Sequence, residues 1–168
     1  GILIDMDVKD QLDLNSVENI KMPPHSLEAE ESALGSMMLS KEAITSSIEI
    51  LKTEDFYQDA HRKIYDAILN IYNRNEPADV ITIAEELKKT DSLEEVGGIT
   101  YLADLSSNVT AVSNIKSYCK IIKEKGILRE LINASDKIIS AAYSSDAKAE
   151  LIIELAEKSV FDIIQDST

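Results

Sequence analysis

Residues 114–143 read NIKSYCKIIKEKGILRELINASDKIISAAY, and the fold of the whole chain turns on how this stretch divides. Its first half sets Ile115, Tyr118, Cys119 and Ile122 at helical spacing, and its second half repeats the pattern with Leu128, Leu131, Ser135, Ile138 and Ala142. At about 100° per residue the two stripes are centred roughly 160° apart around one helix axis. The switch falls at Gly126, the only glycine of the stretch. The expectation is a long helix with two separate packing partners: residues before Ser113 cover the first stripe, and the segment 146–165 covers the second.

Composition limits what such a chain can do. With 168 residues, 44% of them hydrophobic, it can bury a core of its own. It carries 31 Asp and Glu against 17 Lys and Arg, a formal net charge of -14, with no basic cluster of the kind that displaces counterions from nucleic acid. No direct, tight DNA binding is expected. One cysteine rules out a disulfide within the chain and fits a reducing compartment. No apolar run approaches the roughly 18 residues of a membrane span, and no signal-peptide pattern is present. A cytoplasmic location follows as the expectation.

Outward from the long helix, each segment carries its own punctuation. Residues 1–22 lack a sustained period and begin with Gly; they read as a tail or as residues foreign to the native chain. Pro23-Pro24 blocks a helix from running through. Ser26 then caps a helix whose Leu27, Leu34, Met37 and Met38 face inward, with Glu28, Glu30 and Glu31 read as an acidic first turn. Ser40 caps the next, with Ile44, Ile48 and Leu51 as its inner row. After Phe56-Tyr57 comes a central helix, apolar on more than one side, carrying His61, Ile64, Tyr65, Ile68, Leu69, Ile71 and Tyr72. Asn75-Glu76-Pro77 ends it and Asp79 caps a helix with Val80, Ile83, Ala84 and Leu87 inside. Gly97-Gly98 marks a sharp turn before a short helix over 100–106. The small polar turn at Ser144-Ser145-Asp146 then joins two antiparallel helices. The second is expected to bury Ala149, Ile152, Ile153, Ala156, Val160, Ile163 and Ile164, leaving Leu151 and Leu155 pointing nearly opposite.

Catalytic and ligand motifs are not found by this reading. The five glycines form neither a GxxxxGK[ST] nor a GxGxxG pattern. His61 has one other histidine, His25, and no metal-ligand spacing, so it reads as a packed or capping residue. The carboxylates read as caps and solvated surface, which leaves no convergent acid and base. No catalytic, cofactor-binding or metal-ligating residue is expected.

Four motifs in order carry a family resemblance: Pro23-Pro24-His25-Ser26-Leu27-Glu28-Ala29-Glu30 continuing to Leu34-Gly35; Asp55-Phe56-Tyr57 with His61; Asp79-Val80-Ile81-Thr82; and Val96-Gly97-Gly98-Ile99-Thr100-Tyr101-Leu102. Together they resemble the N-terminal domain of bacterial replicative DNA helicases of the DnaB type, from Met22 to about Gln165. The resemblance implies an all-α fold, a globular helical head over 23–125 followed by an antiparallel helical hairpin over 126–165. It implies dimers that assemble as a trimer of dimers, with docking of the primase C-terminal domain and contacts to a helicase loader, in the replisome at the bacterial nucleoid. The RecA-like motor domain has no counterpart in this sequence, so ATP and magnesium belong to that missing part and this chain is not expected to be an ATPase. A stand-alone helical interaction or nucleic-acid-binding domain is the alternative.

The family places docking on the hairpin and the adjoining head, which singles out apolar positions away from the closing stripes. Ile132 flanks the hairpin stripe, Ile138 lies in it near the turn, and Leu151 and Leu155 face outward. Tyr101, beside the double glycine, offers a ring with a polar tip, a type favoured at interfaces. Core packing is the competing reading for Tyr101, Ile132 and Ile138. The expected head core is Leu34, Met38, Ile48, Phe56, Ile64, Ile68, Leu87, Leu102 and Cys119.

Overall fold

Helix caps set most of the element boundaries. In a computed structural model, which describes residues 22–167, α1 (Leu27–Leu39) begins where the Ser26 hydroxyl accepts the Ala29 N–H at 3.2 Å. The Ser40 hydroxyl accepts the Ala43 N–H at 3.3 Å and starts α2 (Lys41–Ile50). After a 3-10 turn, Thr53–Asp55, the chain enters α3 (Asp59–Asn73), which ends at Asn75 in the left-handed region, φ 59°. Asp79 and Thr82 exchange backbone-to-side-chain hydrogen bonds, both 2.8 Å, in a reciprocal cap that opens α4 (Val80–Lys88). A short α5 (Leu93–Val96), not foreseen from the sequence, turns through Gly97 at φ 115° into α6 (Gly98–Ser107). A second 3-10 turn, Val112–Asn114, leads into α7 (Ile115–Tyr143), and α8 (Ala149–Ser167) completes the described chain. No strand occurs among the described residues; the fold is all-α.

The head closes around α3, whose Ile64, Tyr65, Ile68 and Ile71 are fully buried. Leu34 and Met37 of α1, Ile83 of α4, Leu102 of α6 and Cys119 and Ile122 of α7 complete one contiguous core. Gly35 lets α1 lie directly on α6: a Cβ there would run into the Leu105 carbonyl oxygen. Eight of the nine expected core residues are buried, and Ile48 is the exception at 39% exposure. Ser47 takes its place. Its hydroxyl donates to the Ala43 carbonyl at 2.7 Å and lies 3.4 Å from the Cys119 sulfur, so a satisfied serine is buried there and the inner face of α2 is rotated. Leu27, expected inside, is likewise exposed, at 38%.

The long helix forms as expected, but its second stripe does not face inward. It runs unbroken through Gly126, and its head-facing row continues as Ile115, Cys119, Ile122, Gly126 and Arg129. The half-buried row of the hairpin is Ile127, Glu130, Ala134, Ile138 and Ala141, roughly 90° around the axis from the expected Leu128, Leu131, Ser135, Ala142 stripe. Leu128, Leu131, Ser135 and Ala142 are exposed, whereas Ile138, the fifth residue of that expected stripe, is half-buried. The α8 helix returns antiparallel, bringing Ser167 to the groove that Ile50, Ile127 and Leu128 line. Its inner row is Ile152, Leu155, Ala156, Ser159 and Ile163, whereas Ile153, Val160 and Ile164, expected inside, are exposed. The tail expectation for 1–22 falls, apart from Met22, outside the described residues.

Candidate functional site

Two features stand out above the core: a buried polar joint where the hairpin leaves the head, and the exposed apolar surface of the hairpin itself. The joint begins with Glu30. It stands on the row Glu30, Ala33, Leu34, Met37 of α1, so helical spacing turns its carboxylate inward, and it is 1% exposed. The reading of this glutamate as part of a solvated first turn is therefore corrected. Gln58, the residue before α3, supplies no side-chain cap. Glu30 does so from another helix, accepting the Tyr57 N–H at 2.9 Å and the Gln58 N–H at 3.3 Å.

The same carboxylate pairs with His61 Nδ1 at 2.8 Å, and His61 Nε2 lies 2.6 Å from the Tyr101 hydroxyl. With Nδ1–H donating to the carboxylate, a neutral ring accepts the Tyr101 O–H at Nε2. Both imidazole nitrogens are thus engaged, which fits the packed reading of His61. Burial, then the charges of Glu31 and Glu30, pushes the Tyr101 phenol up to about 12. Tyr101 is half-buried and lines a groove of about 330 Å³ with Glu28, Glu31 and Asp104. Among the described residues, no group of three or more His, Cys, Asp or Glu is placed to hold a metal ion.

Asp55 forms the other half of the joint. Its carboxylate accepts the Lys52 N–H at 2.8 Å and the Lys123 ammonium at 3.1 Å. Arg129 donates to two backbone carbonyls, Pro24 at 2.7 Å and Asp55 at 2.6 Å, and its guanidinium lies 5.7 Å from the centre of the Tyr57 ring. Burial pulls the Arg129 group below its ordinary value. At the C-terminal end of α8, Lys52 and Asp166 pair at 2.7 Å and tie the helix back to the head.

The hairpin surface holds the other feature. Ile121, Leu128, Leu131, Ile132, Ile139 and Tyr143 all point to one side of α7, away from both the head and α8, and all are exposed. Ile132 is 44% exposed within this row, and Leu151, at the start of α8, is 60% exposed. Ile138 is half-buried between the two helices. Leu155 is half-buried as well and belongs to the inner row of α8, which corrects the expectation that it points outward with Leu151. The structure thus leaves Ile132 and Leu151 accessible, commits Ile138 and Leu155 partly to hairpin closure, and engages Tyr101 in the head.

A family model described as DnaB-like helicase N terminal domain matches residues 22–124. The chain belongs to that family. Among DnaB-family relatives, it is 42% identical to the replicative DNA helicase DnaC of Bacillus subtilis over 147 residues, and 36% identical to DnaB of Geobacillus stearothermophilus over 145. Those matches cover 88% and 86% of this chain but 32% of each relative. The chain therefore spans about a third of the length of the curated relatives that it matches. The crystal structure of the N-terminal domain of DnaB helicase from Mycobacterium tuberculosis superposes with a TM-score of 0.78 at 41% identity, covering 84% of this chain and 99% of that one. A DnaB-like replicative helicase, whose structure was described with its interactions with primase, shares the fold at a TM-score of 0.67 and 24% identity, covering 82% of this chain and 31% of that one.

Sequence reasoning missed Glu30, Asp55 and Arg129. A signal existed for two of them. Glu30 sits in register with Leu34 and Met37, and Arg129 continues the row Cys119, Ile122, Gly126, so each polar residue stands where the helical period demands a buried one. Asp55 lies in a turn and carries no such periodic mark. No helix of the described residues is long and apolar enough to cross a membrane.

Proposed function

We infer that this chain serves as the assembly and primase-docking domain of a hexameric replicative DNA helicase, acting through protein contacts in the bacterial cytoplasm. The observation that carries the reading is the apolar row of α7, from Ile121 to Tyr143, which neither the head nor α8 covers. A row of that kind on a folded domain marks an interaction surface. Family membership and the names of the relatives supply the context. The partners proposed are a second copy of the domain, leading to a dimer or a trimer of dimers, the primase C-terminal domain, and a helicase loader. Docking is assigned to Tyr101, Ile132, Ile138, Leu151 and Leu155, with Ile132 and Leu151 leading because they are the most accessible of the five. ATP and magnesium are assigned to a separate motor domain.

The test is size-exclusion chromatography with light scattering, alone and with the primase C-terminal domain added. A self-associated species that shifts to a defined complex supports the reading. A monomer that ignores primase at high micromolar concentration contradicts it. The alternative, a nucleic-acid-binding helical domain, is disfavoured by the net charge of -14. A salt series separates the two, because phosphate contacts weaken steeply with salt while apolar contacts persist.

A further inference from the structure

The contiguous core of the head ends at Ile122. Beyond Gly126, Ile163 is the one buried hydrophobic side chain among the described residues, at 9% exposure. The hairpin is therefore held to the head mainly by polar links, and these are unequal. Lys52 and Asp166 form an exposed pair, 58% and 40% accessible, of the kind that contributes little and is screened by salt. Arg129 is different: one planar fork joins α7 to the carbonyls of Pro24 and Asp55, two segments far apart in sequence.

The position of this link matters because of what precedes it. Gly126, one turn earlier, lacks a side chain because Asp55 lies against it, with a Cβ there meeting Asp55 Oδ1 at 2.8 Å. The same residue weakens the helix locally. On the flank of α7 the seam is not packed shut: Ile50, Lys123, Ile127 and Ser167 border an open, mainly apolar groove of about 500 Å³. A weak point in the helix, space beside it and a two-armed staple just past it form one device.

We propose that Arg129 is a positioning residue, a latch that fixes the direction of the hairpin relative to the head, and that releasing it lets α7 flex about Gly126. The latch is sensitive to its surroundings because both acceptors are neutral carbonyls and one belongs to the strap at Pro23-Pro24, ahead of the first helix. Movement of that strap alone would remove half of the link. The direction of the hairpin in turn sets how Ile132 and Leu151 are presented.

The test uses the full chain with Cys119→Ala and spin labels at Asn70→Cys on α3 and Ser145→Cys at the hairpin turn, both exposed positions. Labelled chain is diluted in unlabelled chain so that pulsed electron resonance reads distances within one molecule. Arg129→Met, which removes the donors and keeps the length, is expected to at least double the width of the distance distribution, and Arg129→Lys to give an intermediate width. Leu87→Ala, a core change in the head, lowers the melting temperature and is expected to leave the width unchanged. Pro23→Gly with Pro24→Gly in the full chain frees the strap that carries the Pro24 carbonyl, keeps Arg129, and should also broaden the distribution; it decides the matter if Arg129→Met does not fold. Widths equal to wild type in every folded latch variant, or equal broadening in Leu87→Ala, would overturn the proposal.

Discussion

Gly126 and Asp55 are in direct contact: a methyl group placed on the glycine would lie 2.8 Å from the aspartate Oδ1 and 3.3 Å from its Cα. In an isolated helix, Gly→Ala is worth about 1 kcal/mol of added stability. Here the replacement pushes α7 off the turn that carries Asp55, and overpacking of this sort costs typically 1–3 kcal/mol. Gly126→Ala is therefore expected to lower stability by about 0–2 kcal/mol once the helix gain is offset. Urea unfolding of the variant, compared with an exposed Ala substitution elsewhere on α7, measures the sign; a stabilised Gly126→Ala would show that the contact yields easily.

Glu30 supports three donors at once, the Tyr57 and Gln58 N–H groups and His61 Nδ1. Removing it leaves all three without their partner inside the protein, and each buried donor left unsatisfied costs about 1–3 kcal/mol. Tyr101→Phe removes one hydroxyl from His61 and should cost less, about 1–2 kcal/mol. Denaturant midpoints in the order wild type, Tyr101→Phe, Glu30→Ala are the expected result. Equal midpoints for wild type and Tyr101→Phe would free the Tyr101 hydroxyl from a structural role and strengthen its candidacy at an interface.

The acid limb of stability has an identifiable contributor in Glu86. Hydrogen bonds from Arg74 and then Lys89 hold its carboxyl at about 2, below the ordinary 4.5. A depressed folded value means that the contribution is fully present above about pH 4.5 and is lost as pH falls toward about 2. Glu86→Gln should therefore flatten the fall of melting temperature across that window while changing little of its shape above it. An unchanged slope between pH 4.5 and 2 would place the acid sensitivity in other carboxylates.

How legible this was in the sequence depends on the range of the interaction. Ser26, Ser40 and Asp79 act on amides three residues away, so their cap roles are written locally, and all three caps form. The helical period located most of the head core. It failed where a polar side chain was buried: Ser47 displaced Ile48 because its hydroxyl could be satisfied by the Ala43 carbonyl, and Glu30 passed for a solvated residue because its partners lie 27 to 31 positions away. On α7 the helical period points to the most apolar row as the inner one. The head instead fixes the rotation of the helix through Ile122 and Arg129, which turns Leu128 and Leu131 outward. Leu155 was misplaced through the same assumption, because the facing row on α7 determines which side of α8 closes the hairpin.

That rotation changes which substitution should separate association from folding. Leu151 is exposed and Leu155 is half-buried inside the hairpin. Leu151→Glu is expected to leave helicity intact and reduce the mass in solution toward the monomer, since burying a leucine is worth about 1.5–3 kcal/mol. Leu155→Glu is expected to lower stability by about 1–3 kcal/mol through damage to the hairpin itself. Circular dichroism alongside light scattering reads both, and an unchanged mass for a folded Leu151→Glu would move self-association to another face.

On the function proposed above, the uncovered apolar surface of the hairpin receives the partner. Calorimetric titration of the primase C-terminal domain into folded wild type, Ile132→Ser and Leu151→Ser tests it most directly. Each variant is expected to bind at least about tenfold more weakly, a loss of about 1.4 kcal/mol, while its melting temperature stays within a few degrees of wild type. Wild-type affinity in both variants would contradict the claim and send the docking surface back to the head.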